Sequence, residues 1–207
     1  MNDAAPLGTL AAEYLPDLSS LTPDQRATFR VGQIVRLCVV MERTARVVHA
    51  RLQRVAPEDV RDGPAGFGAL VAEIKRQLEE TGFPQTDSAT SALSTVYSTY
   101  SERNRYAHDL LVQSDFERWE RMSLDNATPL RHQKTVDADA LREAVLDVVS
   151  AQWLLYALDA IVGEWLNGAL GHEPSTSRDS ILEGWKQILE GHYKLTGGGG
   201  VSITPPM

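Results

Sequence analysis

The feature that most constrains this chain is an apolar stripe that persists for about eight helical turns, from Leu141 to Ala169. Steps of three and four residues between apolar side chains are typical of an amphipathic α-helix. Further apolar residues widen the stripe, so we expect a helix from about Asp137 to Leu170 at the centre of a helical bundle. The stripe comprises Leu141, Val145, Val148, Ala151, Leu155, Leu158, Val162, Trp165 and Ala169, widened by Val149, Trp153 and Tyr156.

Three more helices are predicted before this one, separated by proline and glycine. The first, over residues 23–55, opens with Thr22 and Gln25 in the spacing of a capping box and ends before Pro57. The second follows Gly63-Pro64 and ends at Gly82. The apolar positions are Ile34, Leu37, Cys38, Met41, Ala45, Val48, Leu52 and Val55 in the first helix, and Phe67, Leu70, Val71, Ile74 and Leu78 in the second.

The third helix begins near Asp87, and its apolar pattern includes Leu93, Val96, Tyr97, Tyr100, Ala107 and Leu111. Residues 112–136 lose the helical period and predict a loop or a short hairpin. A last short helix is expected over residues 180–190. The fold class is therefore all-α, a bundle of four to five helices with an insertion after the third.

The domain boundaries follow from these elements. Residues 1–21 are an N-terminal extension and residues 22–171 the helical bundle. Residues 172–194 contain the short C-terminal helix, and residues 195–207, with a run of four glycines, form a tail that we expect to be disordered.

Charge and cysteine content limit the functions open to the chain. The net charge is −8, which argues against a general basic coat for nucleic acid but leaves room for a local phosphate site. The single cysteine, Cys38, permits no intrachain disulfide and fits a reducing, cytoplasmic compartment. The longest apolar run, Trp153 to Val162, contains Asp159 and is shorter than the roughly 20 residues of a membrane helix, so no membrane partner is expected.

The stretch whose side chains are suited to catalysis is Ser101 to Leu111, near the end of the third helix. Asn104 and His108 are four residues apart and share a helix face, and Arg103 is long enough to reach the same spot. An imidazole can accept or donate a proton near neutral pH, and a guanidinium binds phosphate oxygens through two N–H groups. These three side chains suit a phosphodiester substrate without any metal.

This segment resembles the signature of the HEPN superfamily (higher eukaryotes and prokaryotes nucleotide-binding domain). That signature is an arginine, four to six residues and a histidine, often with asparagine directly after the arginine. Arg103-Asn104-Arg105-Tyr106-Ala107-His108 matches the four-residue version. The resemblance covers roughly residues 23–170 in helix order, although only the motif is specific, and it implies a HEPN-like helical bundle.

The resemblance also implies a function. It suggests a metal-independent endoribonuclease with no cofactor, which cleaves RNA by 2′-hydroxyl attack and leaves a 2′,3′-cyclic phosphate. Many members are toxins or antiviral defence effectors, so an antitoxin protein is one partner to consider beside RNA. Such enzymes are usually homodimers with the motifs facing each other, so that one His108 would act as base and its symmetry mate as acid.

Two comparisons within the chain bear on this match. Arg43 and His49 also have the loose spacing, but Thr44 follows the arginine and the pair lies inside a regular helix, so we interpret His49 as a packed or surface residue. One HEPN subgroup carries a tyrosine two residues after the histidine. That position is Leu110 here, so modification of such a tyrosine does not carry over. Tyr106 is interpreted as a packing aromatic residue.

Basic residues around and after the motif are candidates for contacts with the RNA backbone. Acidic residues lie among them, so an ordinary exposed loop of mixed charge is the stronger interpretation. The candidates are Arg105, Arg118, Arg121, Arg131 and Lys134.

Two further interpretations stay open. The chain is alternatively a non-catalytic nucleotide- or protein-binding module, in which Arg103, Asn104 and His108 form a buried polar network. A third interpretation is a structural or neutralising subunit of a larger complex, with the disordered tail as its docking segment. Exposure separates these readings, since a catalytic set should line an open cleft with a free arginine tip, whereas a structural set should be enclosed and paired within one chain.

Overall fold

A computed structural model describes residues 15–56, 64–108, 110–115, 118–122, 134–169, 186–188, 193–195 and 201–203. The prediction of an all-α fold is confirmed, because long helices dominate the described residues. The helices are α1 (Pro23–Gln53), α2 (Phe67–Thr81), α3 (Thr86–His108) and α4 (Ala138–Ala169). The strands are β1 (Leu110–Asp115), β2 (Arg118–Met122), β3 (Lys134–Asp137), β4 (Tyr193–Leu195) and β5 (Val201–Ile203).

The capping box predicted at the start of α1 is present. The backbone N–H of Thr22 donates to Gln25 Oε1 at 2.9 Å, and the N–H of Gln25 donates to Thr22 Oγ1 at 3.4 Å. The helix ends at Gln53, two residues earlier than the pattern predicted, because Arg54 takes a left-handed conformation with φ 58°. The N–H of Val55 then bonds back to the Ala50 carbonyl at 3.1 Å, which closes the helix.

The boundaries of α2 agree with the prediction at both ends, and its five predicted apolar residues are all buried. Gly82 ends the helix with φ 67°, a conformation that glycine adopts without steric cost. The N–H of Phe83 donates to the carbonyl of Leu78 at 3.1 Å, and both side chains are buried. These features form a Schellman motif.

Two expectations for α3 are wrong. Leu111 lies in β1 and not in the helix, which ends at His108. Tyr97 is 45% exposed, although its neighbours Leu93 and Val96 are buried as expected. The ring of Tyr97 packs over Gly68 of α2, where a Cβ atom would lie only 3.0 Å from Cε2. A glycine therefore provides the space for a large ring at the surface.

The insertion after α3 is a three-stranded antiparallel sheet in the order β1-β2-β3. The predicted hairpin is present as β1 and β2, and β3 extends it just before α4. Trp119 of β2 pairs in register with Val136 of β3, and both are buried. The indole N–H of Trp119 donates to Asp24 Oδ1 at 3.0 Å, which ties the sheet to the start of α1.

The disordered tail expected over residues 195–207 is corrected in part. Tyr193–Leu195 and Val201–Ile203 pair as the two short strands β4 and β5. Valine, isoleucine and tyrosine favour β-strands. The prediction of disorder rested on the run of glycines between these two segments and overlooked that preference. Residues 186–188 are helical, and the rest of the helix predicted over residues 180–190 lies outside the described residues.

The described residues belong to two compact units, and each of the helices α1, α3 and α4 contributes residues to both units. The first unit comprises the chain up to Val39, Thr99–Ser150 and Leu195–Ser202. The second comprises Val40–Ser98, Ala151–Lys194 and the chain from Ile203. The buried apolar residues of the first unit are Ala27, Ile34, Leu37, Cys38, Tyr106, Trp119, Val136, Leu141, Ala144, Val145, Leu146, Val148 and Val149. The largest fully buried residues of the second unit are Met41, Val48, His49, Leu70, Ile74, Leu78, Leu93, Leu155 and Leu158.

Among the described residues, α4 is long and apolar enough to cross a membrane by length and composition alone. We expected no membrane-spanning helix because the longest uninterrupted apolar run of the sequence is short. A segment as long as a helix can contain isolated charged residues and still be apolar on average. The most apolar segment of α4 is 61% buried within the chain. The buried core helix of a helical bundle has the same length and composition.

Candidate functional site

The motif occupies the C-terminal end of α3. Arg103, Asn104 and His108 are all helical, and Asn104 and His108 are one turn apart along the helix. The helix ends at His108, and β1 begins at Leu110. The loss of helical pattern noted in the sequence after the motif is therefore the start of the small sheet.

Arg103 lies enclosed beside the core of the first unit, with only 13% of its side chain exposed. Its Nη2 group donates to Asp147 Oδ2 of α4, and its Nη1 lies 3.6 Å from Glu102 Oε1. The guanidinium carbon also lies 5.9 Å from the centre of the Tyr106 ring, within the range of a cation–π contact. The charge of Arg103 is thus balanced within the same chain.

One donor of Arg103 is left over. Its Nε atom is buried and has no hydrogen-bond partner. Buried polar groups normally have partners, because an unpaired donor loses its hydration without compensation. The guanidinium therefore has hydrogen-bonding capacity that its contacts with Asp147 and Glu102 do not use.

Cys38 of α1 lies within electrostatic reach of this arginine. Burial among apolar side chains raises the pKa of the Cys38 thiol to about 11, and the Arg103 cation opposes this effect only partly. The thiol is therefore protonated at neutral pH and behaves as a small apolar side chain. Tyr106 is buried as well, which confirms its interpretation as a packing residue.

Asp147 is the residue of this site that the sequence did not reveal. It is 44 positions away from Arg103, and no local spacing connects the two. A signal existed, because Asp147 is a charged residue between Leu146 and Val148 in the apolar pattern of α4. A carboxylate in such a position needs a cationic partner or contact with water, and here it has both, with 46% of its side chain exposed.

The basic residues proposed to track RNA are placed on three elements. Arg105 is exposed on α3 and Arg118 is exposed at the start of β2. The register of the sheet sets Arg121 of β2 opposite Lys134 of β3, which brings two of the candidates together. Arg131 lies outside the described residues. How these residues lie relative to His108 stays a prediction.

The second match to the loose motif is structural, as we interpreted it. His49 is 2% exposed and lies in the second unit. Its Nε2 is 3.2 Å from Gln53 Nε2, and its Nδ1 has no hydrogen-bond partner. Burial lowers the pKa of His49, and nearby Glu73 opposes that shift.

Within the described ranges, no group of three His, Cys, Asp or Glu side chains is arranged to hold a metal ion. Comparison with known proteins found no matching family model, no matching curated protein and no matching solved structure.

Proposed function

We propose that this chain is a metal-independent endoribonuclease of the HEPN type. The observation that carries the proposal is the position of Arg103 at the end of α3, on one helix with Asn104 and His108 and directly before a small sheet. The proposal draws further support from the Nε donor of Arg103, which its contacts with Asp147 and Glu102 leave without a hydrogen-bond partner.

Each residue has a role in cleavage by 2′-hydroxyl attack. His108 accepts the proton of the ribose 2′-hydroxyl, or donates one to the leaving 5′-oxygen. Arg103 stabilises the negative charge that develops on the phosphate oxygens in the transition state. Asn104 orients the imidazole or a phosphate oxygen. In a homodimer, His108 of one protomer accepts the proton of the 2′-hydroxyl, and His108 of its partner donates a proton to the leaving 5′-oxygen.

The Arg103–Asp147 pair is compatible with this role. A half-exposed carboxylate can turn into water when a phosphate replaces it, whereas the enclosed arginine stays in position. Holding the guanidinium in place before the substrate binds reduces the entropy lost on binding. Asp147 is therefore a positioning residue in this proposal.

The second candidate is a non-catalytic binding module, and one observation favours it. Arg103 is enclosed and ion-paired within one chain, which is the arrangement expected of a structural network. In that case the motif stabilises the end of α3 and performs no chemistry. Stability and activity measurements on the same variants separate the two candidates.

The test incubates the purified full chain with mixed cellular RNA in excess EDTA. Wild type is compared with His108→Ala, with Arg103→Lys and with His192→Ala, which makes the same chemical change outside the motif. Each variant is first checked for helical content and melting temperature. Product ends are analysed for 2′,3′-cyclic phosphate and 5′-hydroxyl, and the oligomeric state is measured by light scattering.

A ribonuclease should cleave as wild type and as His192→Ala. It should lose at least about 100-fold in rate as His108→Ala, which removes a general acid–base group. Arg103→Lys should lose a similar factor, because a lysine cannot make the forked contact. Absence of cleavage by a folded wild-type dimer would overturn the proposal in favour of the binding module. Equal cleavage by wild type and His108→Ala would overturn the role of His108 and assign the cleavage to another site or to a contaminant.

A further inference from the structure

The edge of the Arg103 guanidinium that carries Nε and Nη2 is only partly bonded. The two N–H groups on this edge point in the same direction, so they fit the two oxygens of a carboxylate or a phosphate. Nη2 donates to Asp147 Oδ2, whereas Nε is buried and has no hydrogen-bond partner. Asp147 therefore binds this edge through one oxygen and leaves the second donor unused.

The two members of this pair differ in their surroundings. Only 13% of the Arg103 side chain is exposed, against 46% of the Asp147 side chain. The guanidinium carbon also lies 5.9 Å from the centre of the buried Tyr106 ring. Packing holds Arg103 in place, whereas Asp147 can rotate into water. An incoming anion would therefore displace the carboxylate and leave the guanidinium where it is.

A carboxylate of the same chain competes effectively with an anion from solution. Asp147 loses no translational freedom when it pairs with Arg103, whereas an external ligand does. Both residues lie in the first unit, on α4 and α3, so the pair forms within one chain. The carboxylate also repels a negatively charged ligand that approaches the same edge. Asp147 therefore lowers the affinity of Arg103 for an external oxyanion.

A phosphate has one advantage over Asp147 at this edge. Its oxygens can accept from Nε and Nη2 together, and such forked contacts are stronger than single ones. The bond to Nε also satisfies a buried donor, whose lack of a partner is unfavourable. A phosphodiester thus gains a hydrogen bond that Asp147 does not make, at the cost of displacing the carboxylate.

We propose that Asp147 is an internal competitor of the RNA phosphate at Arg103, an autoinhibitory contact that the phosphate displaces by accepting from both Nε and Nη2. The inference rests on the proposed function, because it takes RNA as the ligand of Arg103. It adds a second effect of Asp147 to its positioning role. The carboxylate that holds the guanidinium in place before RNA binds also weakens the binding of RNA.

The test measures binding of a fluorescent single-stranded 2′-O-methyl RNA to the full chain by anisotropy. This probe has no free 2′-hydroxyl and cannot be cleaved by 2′-hydroxyl attack, so binding is measured apart from catalysis. The variant is Asp147→Asn, which keeps the size of the side chain and removes its charge. The matched control is Asp159→Asn, because Asp159 also lies on α4, pairs with Arg51 and changes the net charge by the same amount. Melting temperatures of all proteins are measured first.

Asp147→Asn should bind the probe about 10-fold more tightly than wild type, because the phosphate no longer competes with a charged partner of Arg103. Asp159→Asn should bind as wild type does. Equal affinity of the two variants, or weaker binding by Asp147→Asn, would overturn the inference, because a merely structural partner of Arg103 would give one of these results.

A second measurement uses wild type and covers the case in which Asp147→Asn does not fold. The NMR signal of the Arg103 Nε–H group is identified by its absence in Arg103→Lys, and it should shift when the probe saturates the chain. An unchanged signal at saturation would overturn the inference.

Cleavage of natural RNA is assayed separately, so that the two proposals can fail independently. Tighter binding by Asp147→Asn without cleavage by wild type would support the competition and contradict only the ribonuclease. Cleavage by wild type, with equal affinity of the two aspartate variants for the probe, would contradict only the competition. A wild type that neither binds the probe nor cleaves RNA would contradict both.

Discussion

Removal of Asp147 from its ion pair with Arg103 should reduce the free energy of unfolding more than removal of Arg103 does. Asp147→Ala leaves a cation in a place where only 13% of the arginine side chain reaches water. Arg103→Met leaves a carboxylate that is already 46% exposed and is readily hydrated, and it also removes the unpaired Nε donor. Loss of the acid should therefore cost more stability than loss of the base.

The magnitude lies between two known limits. Exposed ion pairs contribute about 0.2–1 kcal/mol, whereas removing one partner of a fully buried pair costs about 3–5 kcal/mol. With one partner enclosed and the other half-exposed, we expect Asp147→Ala to cost about 2–3 kcal/mol and Arg103→Met about 1 kcal/mol or less. The coupling energy of the pair should be about 1–2 kcal/mol.

The assay is equilibrium unfolding in urea, followed by circular dichroism, for wild type, both single variants and the double variant. Asp159→Ala is the matched control, because Asp159 also lies on α4 and pairs with an arginine, Arg51, at 2.5 Å. Arg51 is 46% exposed, so the control should cost at most about 1 kcal/mol. If Asp147→Ala costs no more than Asp159→Ala or Arg103→Met, the argument from enclosure is refuted.

Three further predictions concern other sites. His49 has a lowered pKa in the folded chain, so the unfolded chain binds more protons below pH about 6.5, and the free energy of unfolding should fall as the pH drops below that value. His49→Gln should flatten this dependence. Cys38, with a pKa of about 11 and a buried side chain, should react with a thiol reagent at pH 8 far more slowly in the native chain than in denaturant. Gly82→Ala should cost about 1–2 kcal/mol in urea unfolding because Gly82 has φ 67°, whereas Gly32→Ala, in open space on α1, should stabilise by about 0.5–1 kcal/mol.

Each of these has an outcome that contradicts it. A His49→Gln variant with the same pH dependence as wild type would assign the effect to other groups. Equal rates of thiol modification in the native and unfolded chain would mean that Cys38 is accessible. Equal effects of the two glycine substitutions would show that the left-handed conformation at Gly82 is not what limits substitution there.

Much of the helical structure was predictable because its signals are local. The capping box at Thr22 and the glycine at Gly82 act within a few residues, and the three-to-four-residue spacing of apolar side chains reports the buried face directly. The places where prediction was wrong depend on neighbours distant in sequence. The ring of Tyr97 lies at the surface over Gly68 of α2 and is 45% exposed, and Leu111 joins a strand because β2 is available to pair with it.

Local sequence patterns were enough to predict the all-α class, the four helices α1 to α4 and the place of Arg103, Asn104 and His108 near the end of one helix. Only the tertiary structure decided that Arg103 meets Asp147. The physical reason is the range of the interactions. Helix formation depends on hydrogen bonds and side-chain spacing within one or two turns, whereas a charge pair between helices depends on which helices pack together.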